Sequence, residues 1–286
     1  MKQPLLLGLA VLMCGAGAVA QPRSASAPQK LLSAPVGLMA PVWSPDGKHI
    51  AVTSDNYTGI MVADADGSNL RIVTNAEGAG YKMTWNSESA IVGRTNIVEQ
   101  GRMMHEMYSW NITNNKATLV MQKTRGMQAP TLRAAGLRRG ALNIYERMMA
   151  DPSHVADQVA ALGQFSGSII INPALSPDGN RVAFQVPGKG MWIINADGTN
   201  LRSLGKGSHP AWLPDNATIA YTVVTDNGDQ YTSSTLVALN VDNGKSMTIT
   251  SQPDMLPLTP AVSPDGSRVA FENAKDNAIY VVTLKY

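Results

Sequence analysis

The stretch Pro173-Ala174-Leu175-Ser176-Pro177-Asp178-Gly179 has close echoes elsewhere in this chain of 286 residues. Pro41-Val42-Trp43-Ser44-Pro45-Asp46-Gly47 precedes it and Pro260-Ala261-Val262-Ser263-Pro264-Asp265-Gly266 follows it. Pro210-Ala211-Trp212-Leu213-Pro214-Asp215-Asn216 is an eroded copy. Each copy runs into a short apolar segment: His49-Ile50-Ala51-Val52, Arg181-Val182-Ala183-Phe184, Thr218-Ile219-Ala220-Tyr221 and Arg268-Val269-Ala270-Phe271. Self-similarity with a period of roughly forty residues is the signature of an array of small sheets.

Turn chemistry accounts for the tripeptide. Pro fixes φ at the first central turn position, Asp suits the second, and Gly takes the positive φ that returns the chain to the next strand. A turn of this kind between two apolar runs is a hairpin signal. Asp46, Asp178, Asp215 and Asp265 could instead form a carboxylate cluster for metal or acid–base work. Each already has a turn to serve, so no catalytic role is assigned to them.

One repeat parses into four strands. Residues 41–44 and 48–54 form the first hairpin, Gly59-Ile60-Met61-Val62-Ala63-Asp64 is the third strand, and residues 70–74 are the fourth. The repeat from Pro173 matches it through Met191-Trp192-Ile193-Ile194-Asn195 and the turn Asp197-Gly198-Thr199-Asn200-Leu201-Arg202, which pairs with Asp66-Gly67-Ser68-Asn69-Leu70-Arg71. Four short antiparallel strands per repeat build one β-propeller blade. First-strand landmarks at Pro41, Lys82, Pro130, Pro173, Pro210 and Pro260 give an all-β fold of six blades. The last blade lacks a fourth strand before the chain stops at Tyr286, and Gln29-Lys30-Leu31-Leu32-Ser33 is expected to supply it, closing the ring and covering an open edge.

Residues 1–20 read as a signal peptide. Lys2 is the positive start, the apolar run is short, and Ala18-Val19-Ala20 precedes Gln21 as a cleavage pattern. The apolar run is too short to span a membrane comfortably. Residues 21–28 read as a flexible lead-in and residues 29–286 as the propeller. The only cysteine, Cys14, lies in the leader, where Met13 before it disfavours lipidation, so a lipid anchor is the minor alternative to a soluble periplasmic protein. Net charge is +2 at neutral pH, which gives no reason to expect nucleic acid as partner. A monomer is expected, with no membrane-spanning segment.

No G-x-S-x-G, H-E-x-x-H, Walker or G-x-G-x-x-G motif is present. His49, His105, His154 and His209 fall in different repeats and read as surface or core residues. Met103-Met104-His105-Glu106-Met107 is one local constellation: on a strand, Met103, His105 and Met107 share a face, and soft ligands of this kind suit Cu(I). The region is Met-rich throughout, which favours Met as an adaptable filler of cores and contact surfaces. No metal or cofactor is assigned. Lys116, Lys123, Arg125, Arg133, Arg138, Arg139 and Arg147 make a basic run with Glu146 as its only acid. It reads as a solvated blade face or as a docking surface. In the same repeat, residues 151–165 read as a short helix capped by Ser153, with Val155, Val159 and Leu162 on one face, or as a fourth strand.

The repeat as a whole, from Pro-Ala-x-Ser-Pro-Asp-Gly to Asp-Gly-Thr/Ser-Asn-Leu-Arg, resembles the propeller repeat of the TolB family, the periplasmic component of the Tol–Pal envelope system. The likeness is specific at residues 41–74, 173–204 and 260–284 and weak over residues 82–171. Related repeats occur in prolyl-oligopeptidase-type peptidases, whose α/β-hydrolase domain has no counterpart here. TolB carries an α/β domain before its propeller, whereas a short segment precedes Pro41. The resemblance implies a non-enzymatic, exported propeller that binds an envelope protein or lipoprotein. A propeller binding a small ligand or glycan is the alternative, followed by a propeller enzyme such as a polysaccharide lyase. The uneven half of the ring is the expected contact region, with Arg133, Arg138, Arg139, Met103, Met104 and Met107 as partner-binding candidates.

Overall fold

The computed structural model describes residues 21–124 and 144–286. These form an all-β propeller with five blades, each an antiparallel sheet whose strands pair in chain order. Blade A comprises Met39–Trp43, His49–Thr53, Ile60–Asp64 and Arg71–Thr74. Blade B comprises Thr84–Ser87, Ala90–Glu99, Arg102–Asn111 and Ala117–Thr124. Blade C comprises Ile171–Leu175, Arg181–Val186, Gly190–Asn195 and Arg202–Gly205. Blade D comprises Ser208–Trp212, Thr218–Asp226, Tyr231–Asn240 and Ser246–Thr250. Blade E has Pro257–Val262, Arg268–Asn273 and Ala278–Lys285.

The sixth blade expected from the repeat count is not among the described residues. Its landmark, Pro130, lies outside them. The described residues between blades B and C are helical: α1 (Ile144–Ala150), α2 (Val155–Gln158) and a 3-10 turn at Ala160–Phe165. Ile144 and Met148 stand four apart and are both buried, the spacing of one helix face rather than of a strand. With Val155, Leu162 and Phe165 they pack on Val182, Phe184 and Ile194 of blade C. Phe165 meets Phe184 and Trp192 edge-on, at centroid distances of 5.9 and 4.9 Å. Of the two readings of residues 151–165 the helical one holds, but neither helical piece has a side-chain hydrogen bond from its N-cap residue. Asp151 accepts from the His154 backbone N–H and from Gln158, whereas Ser153 makes no cap.

The N-terminal segment completes blade E. Gln29–Leu32 pairs with its last strand, Gln29 opposite Val281 and Lys30 opposite Tyr280. Residues 21–28, read as a lead-in, run along the same strand: Ser24 pairs with Lys285, Ala25 with Leu284, and the Arg23 N–H donates to the Lys285 carbonyl.

Blades lock to one another through residues of the repeat. Trp43, Trp85 and Trp212 each donate an indole N–H to a first-strand carbonyl of the preceding blade, those of Ala261, Val42 and Ala174. The residue that opens the second strand then lies over the next blade's Trp. Arg268 lies over Trp43 at 4.4 Å, Arg181 over Trp212 at 5.3 Å, and His49 stacks on Trp85. Because blades are covered on both faces, Ile50, Ala51 and Val52 are all fully buried, as are Val182, Ala183 and Phe184.

The turn aspartates are occupied as turn chemistry requires. Ser44, Ser176 and Ser263 donate to Asp46, Asp178 and Asp265, each at 2.6 Å, and Gly47, Gly179 and Gly266 have positive φ. In the eroded copy Asn216 takes the left-handed position at φ 57°.

Candidate functional site

The first strands of all five blades converge on a cavity of about 290 Å³, bounded on the remaining side by Tyr145 and Met149 of α1. One residue per blade enters it from the same place in the repeat: Ala40, Lys82, Asn172, His209 and Thr259. All five are non-glycine residues in the left-handed region, with φ between 46° and 52°. In blades A, C, D and E the strand pairing slips at this point, between Met39 and Val42, Ile171 and Ala174, Ser208 and Ala211, and Leu258 and Ala261. A bulge re-aims a side chain, and here it does so in four of the five blades. Left-handed residues other than Gly cost roughly 1–3 kcal/mol each and persist where the surroundings over-determine them, most often at functional sites.

A second layer of polar residues stands behind this ring. The second-strand residues Thr53, Gln185, Thr222 and Glu272 pair with Met39, Ile171, Ser208 and Leu258. Arg94 holds the matching position in the repeat of blade B. Asn172 donates its amide to Gln185 Oε1 at 3.0 Å, and the Ala40 N–H donates to Glu272 Oε2 at 2.9 Å. The Arg94 guanidinium lies 4.0 Å over the Tyr81 ring, and its Nε and Nη1 are buried with no hydrogen-bond partner.

Electrostatically the cavity is one-signed. Among the described residues its lining contains Lys82 and His209 and no Asp or Glu. Burial holds the Lys82 ammonium below its usual pKa, with Arg94 adding like-charge repulsion. Burial lowers His209, which is therefore neutral at neutral pH, and its Nδ1 is buried without a partner. Burial pushes the Glu272 carboxyl up against the opposing pull of the Ala40 amide.

The residues singled out in the sequence lie elsewhere. Met103, His105 and Met107 do share one face of the third strand of blade B, opposite Val98, Asn96 and Arg94. Met103 is half exposed and Met107 is buried, whereas Met104 faces the other way, opposite Ile97. His105 Nδ1 lies 3.0 Å from Asn96 Oδ1, so a strand neighbour already engages the imidazole. Arg133, Arg138 and Arg139 lie outside the described residues. His49 serves the seam between blades A and B, and exposed His154 pairs with Asp151 at 2.9 Å. Among the described residues no three His, Cys, Asp or Glu side chains are grouped to hold a metal ion.

Blade B also carries an apolar surface. Its central strands run ten residues each, and at their outer end Val98 and Met103 face each other, 70% and 51% exposed. Leu119, Val120 and Met121 of the outermost strand are exposed as well. The corresponding hairpin of blade D, with strands of nine and ten residues, ends in Thr225, Asp226, Tyr231, Thr232 and Ser233, where exposed Tyr231 is the one large apolar side chain. The sequence flagged the Met cluster but not the cavity ring. Its signal was the X-Pro pair repeated at Ala40-Pro41, Asn172-Pro173, His209-Pro210 and Thr259-Pro260.

No family model matches the chain. A TolB homolog of Chlorobium luteolum (strain DSM 273 / BCRC 81028 / 2530) is 34% identical over 116 residues, which is 38% of this chain and 25% of that protein. The match thus spans a quarter of the relative's length. Among solved structures, an oligogalacturonate lyase in complex with manganese is 15% identical, with a TM-score of 0.33 over 87% of this chain and 77% of that one. The tricorn protease is 14% identical, with a TM-score of 0.46 over 87% of this chain and 25% of that one. Among the described residues no helix is long and apolar enough to cross a membrane.

Proposed function

We propose that this chain is an exported, non-catalytic propeller of the TolB-like kind that binds a protein of the bacterial periplasm or envelope through the outer part of blade B. The observation that carries this reading is the gathering of exposed apolar side chains on blade B: Val98 and Met103 near the hairpin tip, and Leu119, Val120 and Met121 on the outermost strand. Water-facing apolar side chains grouped in this way mark contact surfaces, and Met lends such a surface adaptability. Three of these residues lie on the outermost strand of the sheet, whose outer edge is unpaired among the described residues. An unpaired edge offers a row of backbone donors and acceptors to an added strand. The basic run with Arg133, Arg138 and Arg139 follows directly in sequence and adds an electrostatic component. The stretch of shared sequence with a TolB homolog supports the envelope setting.

Retention of envelope proteins by the tagged mature chain tests the reading. The double variant Val98→Ser/Met103→Ser, and separately the charge reversal of Arg133, Arg138 and Arg139, is expected to release the retained partner without lowering the melting temperature. Undiminished retention by both variants would refute it.

A further inference from the structure

We propose that the central cavity is a binding site for a small organic carboxylate, held by the Lys82 ammonium with His209 and Asn172 beside it. The site is separate from the outer strand of blade B, because the cavity is lined by the innermost strands. The inference therefore stands apart from the partner reading.

The argument begins with charge. Lys82 lines the cavity with no hydrogen bond or ion pair to any described residue, and the nearest charge behind it is a second cation, Arg94. Arg94 does not itself line the cavity, and its buried Nε and Nη1 are closed to a ligand there, so it acts on the site through its charge. The buried acid of the same layer, Glu272, accepts the Ala40 N–H at the seam between blades E and A, and it makes no ion pair with Lys82 or Arg94. Buried charge is costly until it is paired, and the pairing group that this arrangement lacks is an anion. A carboxylate supplies it and gains a charge-assisted hydrogen bond.

The neutral groups set the rest of the ligand. Asn172 lines the cavity and donates one amide hydrogen to Gln185, which leaves its second amide hydrogen and its oxygen for a ligand. A ligand with a hydroxyl or amide next to its carboxylate would satisfy both. The volume of about 290 Å³ lies at the small end of ligand pockets, which start near roughly 300 Å³. The ring of left-handed residues gives the site a built character: five blades each accept backbone strain to place one side chain there.

Calorimetric titration of the full mature protein with lactate, malate and succinate, each paired with its uncharged amide, tests the proposal. The variant Lys82→Asn removes the charge while keeping a residue that tolerates the left-handed backbone. Lys206→Asn, at an exposed lysine, controls for general charge. At least one carboxylate is expected to bind saturably and in preference to its amide. Loss of one charge-assisted contact should weaken it about tenfold or more in Lys82→Asn, with Lys206→Asn unchanged. No saturable binding, equal binding of acid and amide, or equal affinities of wild type and Lys82→Asn would overturn it. A melting curve of unliganded Lys82→Asn that matches wild type assigns the loss to the site rather than to misfolding.

Discussion

Glu272 of the last blade accepts the backbone N–H of Ala40 from the first blade, 2.9 Å across the seam where the ring closes. The bond ties the second strand of blade E to the left-handed residue that blade A sends into the cavity. It lies beside the pairing of residues 29–32 with the last strand, so closure and cavity share one seam. The price is a carboxyl group held in a buried setting that disfavours its charged form.

That cost has a definite sign with pH. The folded-state pKa of Glu272 is raised, so its contribution is fully present below the ordinary Glu pKa and is lost as pH rises through the folded value. Glu272→Gln keeps an acceptor oxygen for Ala40 and removes the titration. The variant is expected to be more stable than wild type at neutral pH, with the gap closing toward acid. Melting temperatures of both proteins across that range would show it, and a gap independent of pH would contradict it. The lowered carboxyls of Asp46 and Asp66 are common to both proteins and cancel in the difference.

The N-terminal strand is a structural part of the ring. Leu32 is 3% exposed and packs with Leu38, Ile50 and Ile279. Leu32→Ala is expected to cost about 3 kcal/mol in urea unfolding, in the usual range for a buried leucine. Deleting residues 21–33 would also bare the edge of the last strand and should promote association. Wild-type stability in both proteins would remove the segment from the account of closure.

Phe165 probes the helical segment. It is 1% exposed against Phe184 and Trp192 of blade C. Phe165→Ala should destabilise by about 3–5 kcal/mol, whereas Met103→Ala, at a half-exposed site, should stay within about 0.5 kcal/mol. Similar small effects at both positions would mean that the helices do not dock on the blade.

Much of this fold was legible because its determinants are local. Ser44-Pro45-Asp46-Gly47 forms its turn from its own hydroxyl, carboxylate and glycine, and two further copies do the same. The seam contacts were legible in principle: Arg181 and Arg268 open second strands, and Trp212 and Trp43 recur at one place in the first. The helix at 144–150 was not, and residues 151–165 stood between helix and strand, since 144–165 has no repeat to align and its helical faces acquire meaning only against Phe184 and Val182. The cavity ring was hidden for another reason. A residue before proline favours extended backbone, so nothing in Asn172-Pro173 or His209-Pro210 announces a left-handed conformation. Only the bulge shared by four blades imposes it.

Export can be read from the mature N-terminus. The purified protein is expected to begin at Gln21 and to appear in the soluble periplasmic fraction, and Cys14→Ser should change neither. A lipid found on Cys14 by mass spectrometry would replace this with a membrane-tethered propeller.

Site-specific photo-crosslinking in cells tests the partner surface most directly. A photoreactive residue placed at Val98 or Val120 of blade B is compared with one at Ile72, which is 53% exposed on the outer strand of blade A. A discrete adduct with one envelope protein from Val98 and Val120, and none from Ile72, is the expected result. Adducts that form equally from Ile72, or none from blade B, would contradict the assignment of the partner surface to this blade.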